Sequence, residues 1–150
     1  FKPAIDLELS VSRIGSKVQS PAVKKLSEGL RYEYVHYRSL LRLTRLRTKL
    51  SPEATQQLQR GRALYELLIQ ENFSPVSQAE EIVCFYAFQQ KILESISLEQ
   101  VKLFKKSFFA YLSKNYQDLV NTLDDKGELT EEVKQLLDKA IKDFFRSQNK

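Results

Sequence analysis

The sequence predicts a mainly α protein: an antiparallel helical bundle preceded by one β-strand whose sheet must lie in another chain or fragment. Three observations predict it. Residues 5–13 alternate apolar and polar side chains, with Ile5, Leu7, Leu9 and Val11 on one face and Asp6, Glu8, Ser10 and Ser12 on the other, the period of a half-buried strand. Beyond Ser20 the apolar residues recur at three- and four-residue spacing, the period of amphipathic helices. The connections between these helical stretches are short, which favours antiparallel neighbours.

The elements follow in order. Pro3 precedes the strand, and Gly15 with Ser16 ends it in a turn. A long helix starts near Ser20, with Pro21 in its first turn, and carries Val23, Leu26, Leu30, Tyr34, Tyr37 and Leu41 on one face. Ser51-Pro52 repeats that start signal before Leu58, Leu64, Leu67 and Leu68. Gly61 lies inside this second helix at a cost of ~1 kcal/mol relative to Ala, so close packing is expected there. Ser77 with Glu80, and Ser97 with Gln100, form capping-box patterns ahead of the runs Ile82–Phe88 and Val101–Leu112. Residues 124–127, Asp-Asp-Lys-Gly, read as a turn, and Thr130 opens a last helix through Val133, Leu137, Ile141 and Phe144. The total is one strand and about five helices. An isolated strand cannot satisfy its own backbone groups, so residues 1–13 are expected to join a sheet elsewhere by strand addition, with Arg13 at the strand's carboxyl end, where open α/β sheets bind ligands.

Composition narrows the function classes. The chain of 150 residues is 42% hydrophobic and 29% charged, which suits one globular domain and does not call for a metal or disulfides. Its apolar runs are far shorter than the ~20 residues a bilayer span needs, so any membrane association is expected to be indirect. The single Cys84 sits between Val83 and Phe85 and reads as a buried reduced thiol. His36 is the only histidine, and no metal-ligand spacing is present, so a self-contained enzyme is the poorest reading. Net charge is asymmetric: residues 1–50 carry 11 Lys/Arg against 4 Asp/Glu, whereas residues 51–100 carry 3 against 7.

Pro3-Ala4-Ile5, Leu9-Ser10-Val11-Ser12-Arg13-Ile14-Gly15-Ser16 and Gln19 resemble the arginine-finger segment of F-type ATP synthase alpha subunits. The resemblance continues through Tyr37-Arg38, Ala54-Thr55-Gln56-Gln57, Arg60-Gly61, Glu66-Leu67-Leu68, Gln70 and Ser74-Pro75, and fades after about Tyr86-Ala87. It implies that residues 1–19 are the last strand and loop of a nucleotide-binding domain and residues 20–150 the carboxy-terminal helical domain. The strand would then complete an α/β nucleotide-binding sheet. No G-x-x-x-x-G-K-[ST] phosphate loop occurs here, so the chain is not expected to be catalytic alone. ATP or ADP with Mg²⁺ would be bound mainly by other chains, namely the complementary amino-terminal part of the alpha subunit and the beta subunits. The gamma rotor subunit would complete the hetero-oligomer, without a direct membrane span or nucleic acid.

The resemblance also implies site residues. Arg13 becomes the catalytic finger, reaching the beta subunit's nucleotide. Lys2, Pro3, Gln70 and Asn72 match positions around the adenine of a non-catalytic nucleotide, with Lys2 in place of the usual Arg and Asn72 in place of the usual Gln. Glu8 and Asp6 also depart, from a common Gly and Asn. Arg31, Arg38, Arg42, Arg45 and Lys49 form a basic stripe on the long helix, leading into a segment that is acidic in the family and basic here. Residues 72–75 and 82–87 look more mitochondrial than chloroplast, so the expected location is the matrix side of the mitochondrial inner membrane, with a chloroplast or bacterial membrane as the alternatives. The starting Phe1 is expected to reflect processing or trimming. The rival readings are a basic helical nucleic-acid-binding module, with affinity falling steeply with salt, and a purely structural bundle.

Overall fold

The computed structural model describes residues 15–45, 50–71 and 73–148. The expected strand over residues 5–13 and its Arg13 lie outside the described residues, as do Lys2, Pro3 and Asn72. Within the described residues the chain is helical throughout: α1 Gly15–Val18, α2 Pro21–Ser27, α3 Leu30–Arg45, α4 Pro52–Leu68, α5 Gln78–Gln89, α6 Leu98–Asn115, α7 Gln117–Lys126 and α8 Glu131–Gln148, with a 3-10 turn at Ile92–Glu94 between α5 and α6.

The start signals hold at Ser51, Ser77, Ser97 and Thr130, whereas Ser20, expected to cap as well, makes no side-chain cap at the start of α2. Ser51 Oγ accepts from the Ala54 N–H at 3.2 Å, and Ser77 Oγ from Glu80 at 3.2 Å. The box at Ser97 and Gln100 is reciprocal, with Gln100 Oε1 accepting from the Ser97 N–H at 3.0 Å. Thr130 Oγ1 caps the last helix through the Val133 N–H.

Three expectations need correction. The long helix from Ser20 is two helices, because Gly29 adopts φ +82° between α2 and α3, a left-handed turn that glycine enters without a Cβ penalty. The apolar period runs through this break unchanged, which is why spacing conceals it. The stretch from Ser97 to the Asp124 turn also divides, at Tyr116 (φ −140°, ψ 46°). There the phenol donates to Asp143 Oδ2 at 3.0 Å and pulls the junction onto α8. Residues 124–126 are the last turn of α7, and Gly127 at φ +57° is its left-handed cap.

The core is continuous across α2–α8 and includes Leu30, Tyr34, Leu64, Ile82, Phe88, Phe104, Phe108, Leu112, Leu137 and Phe144. Phe104, Phe108, Tyr111, Phe144 and Phe145 stack and meet edge-on between α6 and α8, with centroid separations of 4.5–6.3 Å. A second cluster of Tyr37, Leu40 and Leu58 joins α3 to α4. Gly61 makes that seam possible. A Cβ there would stand 2.4 Å from Tyr37 Cβ and Cδ2, far inside any real contact.

Arg60, beside it, ties three elements. Its Nε donates to Glu33 Oε1 on α3 at 3.2 Å, its Nη1 pairs with Glu94 Oε1 in the 3-10 turn, and its guanidinium lies 4.4 Å from the Phe88 ring centroid. A planar fork serves two carboxylates and a ring face together, which an ammonium could not.

Two outcomes follow for chemical denaturation of the chain. Gly61→Ala should lower stability by about 1–3 kcal/mol through overpacking against Tyr37, despite the better helix propensity of alanine, read as a lower urea midpoint with an unchanged slope. Arg60→Ala should cost about 3 kcal/mol, because it strands two partly buried carboxylates, and Arg60→Lys should recover only part of that loss.

Candidate functional site

Of the site residues expected from sequence, Gln70 is the one within the described residues. It stands just past the end of α4, where Ile69 turns the chain extended (φ −71°, ψ 121°). The turn that follows closes on itself. Gln70 Nε2 donates to Ser74 O at 2.8 Å, and the Ser74 N–H reaches Glu71 O at 3.4 Å. A carbonyl oxygen only accepts, so the amide orientation is fixed: nitrogen toward Ser74, oxygen Oε1 turned away from that bond. A Gln side chain carries both a donor and an acceptor. The structure uses the donor internally and keeps the acceptor. Phe73, at φ 59° and fully exposed, forms the tip of this turn.

The turn borders an open cleft of about 420 Å³ lined by Gln70, Ser74, Glu80 and, from α6, Lys102, Lys105 and Lys106. Lys105 is the residue that sequence reasoning missed. Its Nζ donates to Glu66 O at 2.8 Å and to Ile69 O, two of the carbonyls that an α-helix leaves unserved at its C-terminus. Burial holds its pKa below the usual lysine value, and the nearby thiol of Cys84 and carboxylates of Glu66, Glu80 and Glu71 act the other way. No signal in the sequence separates Lys105 from its neighbours Lys102 and Lys106, because the pairing depends on how α6 lies across α4.

Glu80 and Glu81, at the start of α5, have raised pKa values. Desolvation dominates for both, and Lys105 partly opposes it at Glu80. Cys84, one turn on, is expected from sequence to be buried; it is half-buried and packs against the edge of the core. Desolvation first, then the charge on Glu80, pushes it up to about 12, so it is a thiol rather than a thiolate at neutral pH. His36 stacks on Tyr32, with centroids 6.0 Å apart and rings nearly parallel, on the outer side of α3. On the same helix Arg31 and Arg42 are exposed and Arg38 half-buried, while Lys49 and the Arg45 side chain lie outside the described residues. Among the described residues no cluster of three or more His, Cys, Asp or Glu could hold a metal ion, and no helix is long and apolar enough to cross a membrane.

These features define a helical-bundle domain that presents a shaped loop. The family model for the ATP synthase alpha/beta chain, C terminal domain matches residues 19–144, and the chain belongs to that family. It is 36% identical to ATP synthase subunit alpha of Acidithiobacillus ferridurans over 96% of its length, 32% identical to that of Petrotoga mobilis over 97%, and 35% identical to that of Clostridium botulinum over 95%. The chain spans only 28–29% of the length of these relatives.

Thiol labelling checks the Cys84 environment. With a pKa near 12 the thiolate population at pH 7.5 is roughly a thousandfold below that of an ordinary cysteine, so native Cys84 should react slower than the unfolded chain by about that factor. The sign for stability follows. The native state keeps the proton that the unfolded thiol loses, so this contribution is complete below about pH 8.5 and declines as pH rises toward 12.

Proposed function

We propose that this chain is the carboxy-terminal part of the alpha subunit of a proton-translocating F-type ATP synthase, supplying Arg13 as an arginine finger to the catalytic site of the adjacent beta subunit. The observation that carries the reading is the run Ser10-Val11-Ser12-Arg13 at the end of a period-two segment, directly ahead of a domain whose family match begins at residue 19. Residues 1–19 then close the nucleotide-binding domain, and residues 20–150 form the bundle packed around the gamma rotor. The amino-terminal part of the alpha subunit, the beta subunits and gamma are the partners. The associated location is peripheral, on the matrix side of the mitochondrial inner membrane.

An Arg delivered across an interface sets a fixed positive fork against phosphate oxygens as charge develops on them, and such fingers are worth ~10³–10⁵ in rate, roughly 4–7 kcal/mol. ATP or ADP with Mg²⁺ is held mainly by the other chains and brings the phosphoryl group on which the finger acts.

The same reading gives Lys2, Pro3, Gln70 and Asn72 the adenine end of a non-catalytic site. The acceptor that Gln70 keeps suits this role, since adenine offers an exocyclic amino donor where guanine offers a carbonyl.

The decisive measurement is multi-site ATP turnover of an assembled complex carrying Arg13→Ala. Assembly should survive and turnover should fall by about three orders of magnitude or more. Near-normal turnover in an intact complex would remove the assignment.

A further inference from the structure

The turn that carries Gln70 is short, exposed and closed mainly by its own hydrogen bonds. A turn of that kind opens easily unless its base is fixed. The base is Ile69, the residue at which the chain leaves α4, and its carbonyl is one of the two that Lys105 holds. Glu66 O, one turn earlier, is the other.

The ammonium arrives from α6, a helix anchored by Phe104 and Phe108, each 1% exposed. The register of the turn is therefore tied to the aromatic core through one side chain. The cleft around it is matched in charge, with Glu66, Glu71 and Glu80 against Lys102, Lys105 and Lys106, so it is not an anion site by field alone. Geometry, rather than net charge, is what Lys105 contributes.

From this arrangement we infer that Lys105 is a positioning residue for the adenine end of the proposed non-catalytic site, fixing the α4 exit so that Gln70 Oε1 stays aimed at the base. The inference rests on the adenine reading of Gln70 given above. It assigns Lys105 no contact with nucleotide.

The test uses the assembled complex, loaded with tritiated ATP and chased with excess unlabelled GTP, and follows the slowly released fraction in wild type, Gln70→Ala, Lys105→Met and Lys105→Arg. Lys105→Met should release that fraction about tenfold faster, equivalent to about 1.4 kcal/mol, and Lys105→Arg, which keeps a charged donor, should restore most of the retention. Hydrogen exchange should accelerate over residues 69–76 in Lys105→Met while peptides of α6 and α8 keep wild-type rates. A merely structural lysine would loosen those helices as well, and that result overturns the proposal. So does wild-type release from Lys105→Met where Gln70→Ala releases fast, which leaves the adenine reading standing. Wild-type release from Gln70→Ala removes the adenine reading and the inference with it. Should Lys105→Met not assemble, Lys105→Gln, too short to span both carbonyls, is read in the same way.

Discussion

An α-helix ends in backbone groups that its own ladder cannot serve, and a chain cut into short helices has many such ends to satisfy. Here the partners come largely from other helices. Gln89 of α5 donates to Leu26 O at 2.8 Å at the close of α2, Lys105 of α6 holds the close of α4, and Gln78 of α5 reaches Leu123 O at 3.2 Å at the close of α7. In return Asp124 of α7 accepts the Ala79 N–H at 2.8 Å and caps α5. The Ala22 N–H of α2 finds Gly127 O at 3.0 Å. Each bond ties the end of one helix to a neighbouring helix, several of them end to end, so the loops leaving those ends inherit the positions of the helices around them.

This dependence explains why two glycines cannot be exchanged freely. At Gly127 an added Cβ would meet Ser20 Cβ at 2.5 Å and Gln78 Nε2 at 2.8 Å. Those are the groups that gather the starts of α2 and α5 onto the end of α7. At Gly61 the intruding Cβ would meet the Tyr37 ring and separate α3 from α4. In both places the missing side chain is what allows two backbones to approach closely enough for the neighbouring hydrogen bonds and ion pairs to form.

Much of the bundle was legible because its signals are local. Ser51, Ser77, Ser97 and Thr130 cap the helices they precede, and the apolar periods mark the faces that are buried. What escaped notice is tertiary. Ser20 stands at the start of α2 yet makes no side-chain cap there, and its buried Oγ has no hydrogen-bond partner among the described residues. The break at Tyr116 has no glycine or proline to announce it, and the Tyr116 phenol that ties it to Asp143 on α8 is a tertiary contact. Lys91, at φ 60°, begins a 3-10 turn that no spacing foretold. The same division runs through the site. Gln70 was identified from its place in a familiar run, whereas Lys105 became visible only once α6 crossed the end of α4.

The two cations beside α4 show how the chemistry of a side chain suits its task. Arg60 faces two carboxylates and a ring, and its planar fork divides among them without turning. Lys105 faces two carbonyl oxygens on one turn of helix, where a compact ammonium on a long stem can donate to both from a single atom. Arg60 fixes the middle of α4 against α3 and the 3-10 turn, and Lys105 fixes its exit. A helix held at both points has little freedom to slide or rotate, so the geometry of the turn beyond it is set by packing rather than by the turn's own weak preferences.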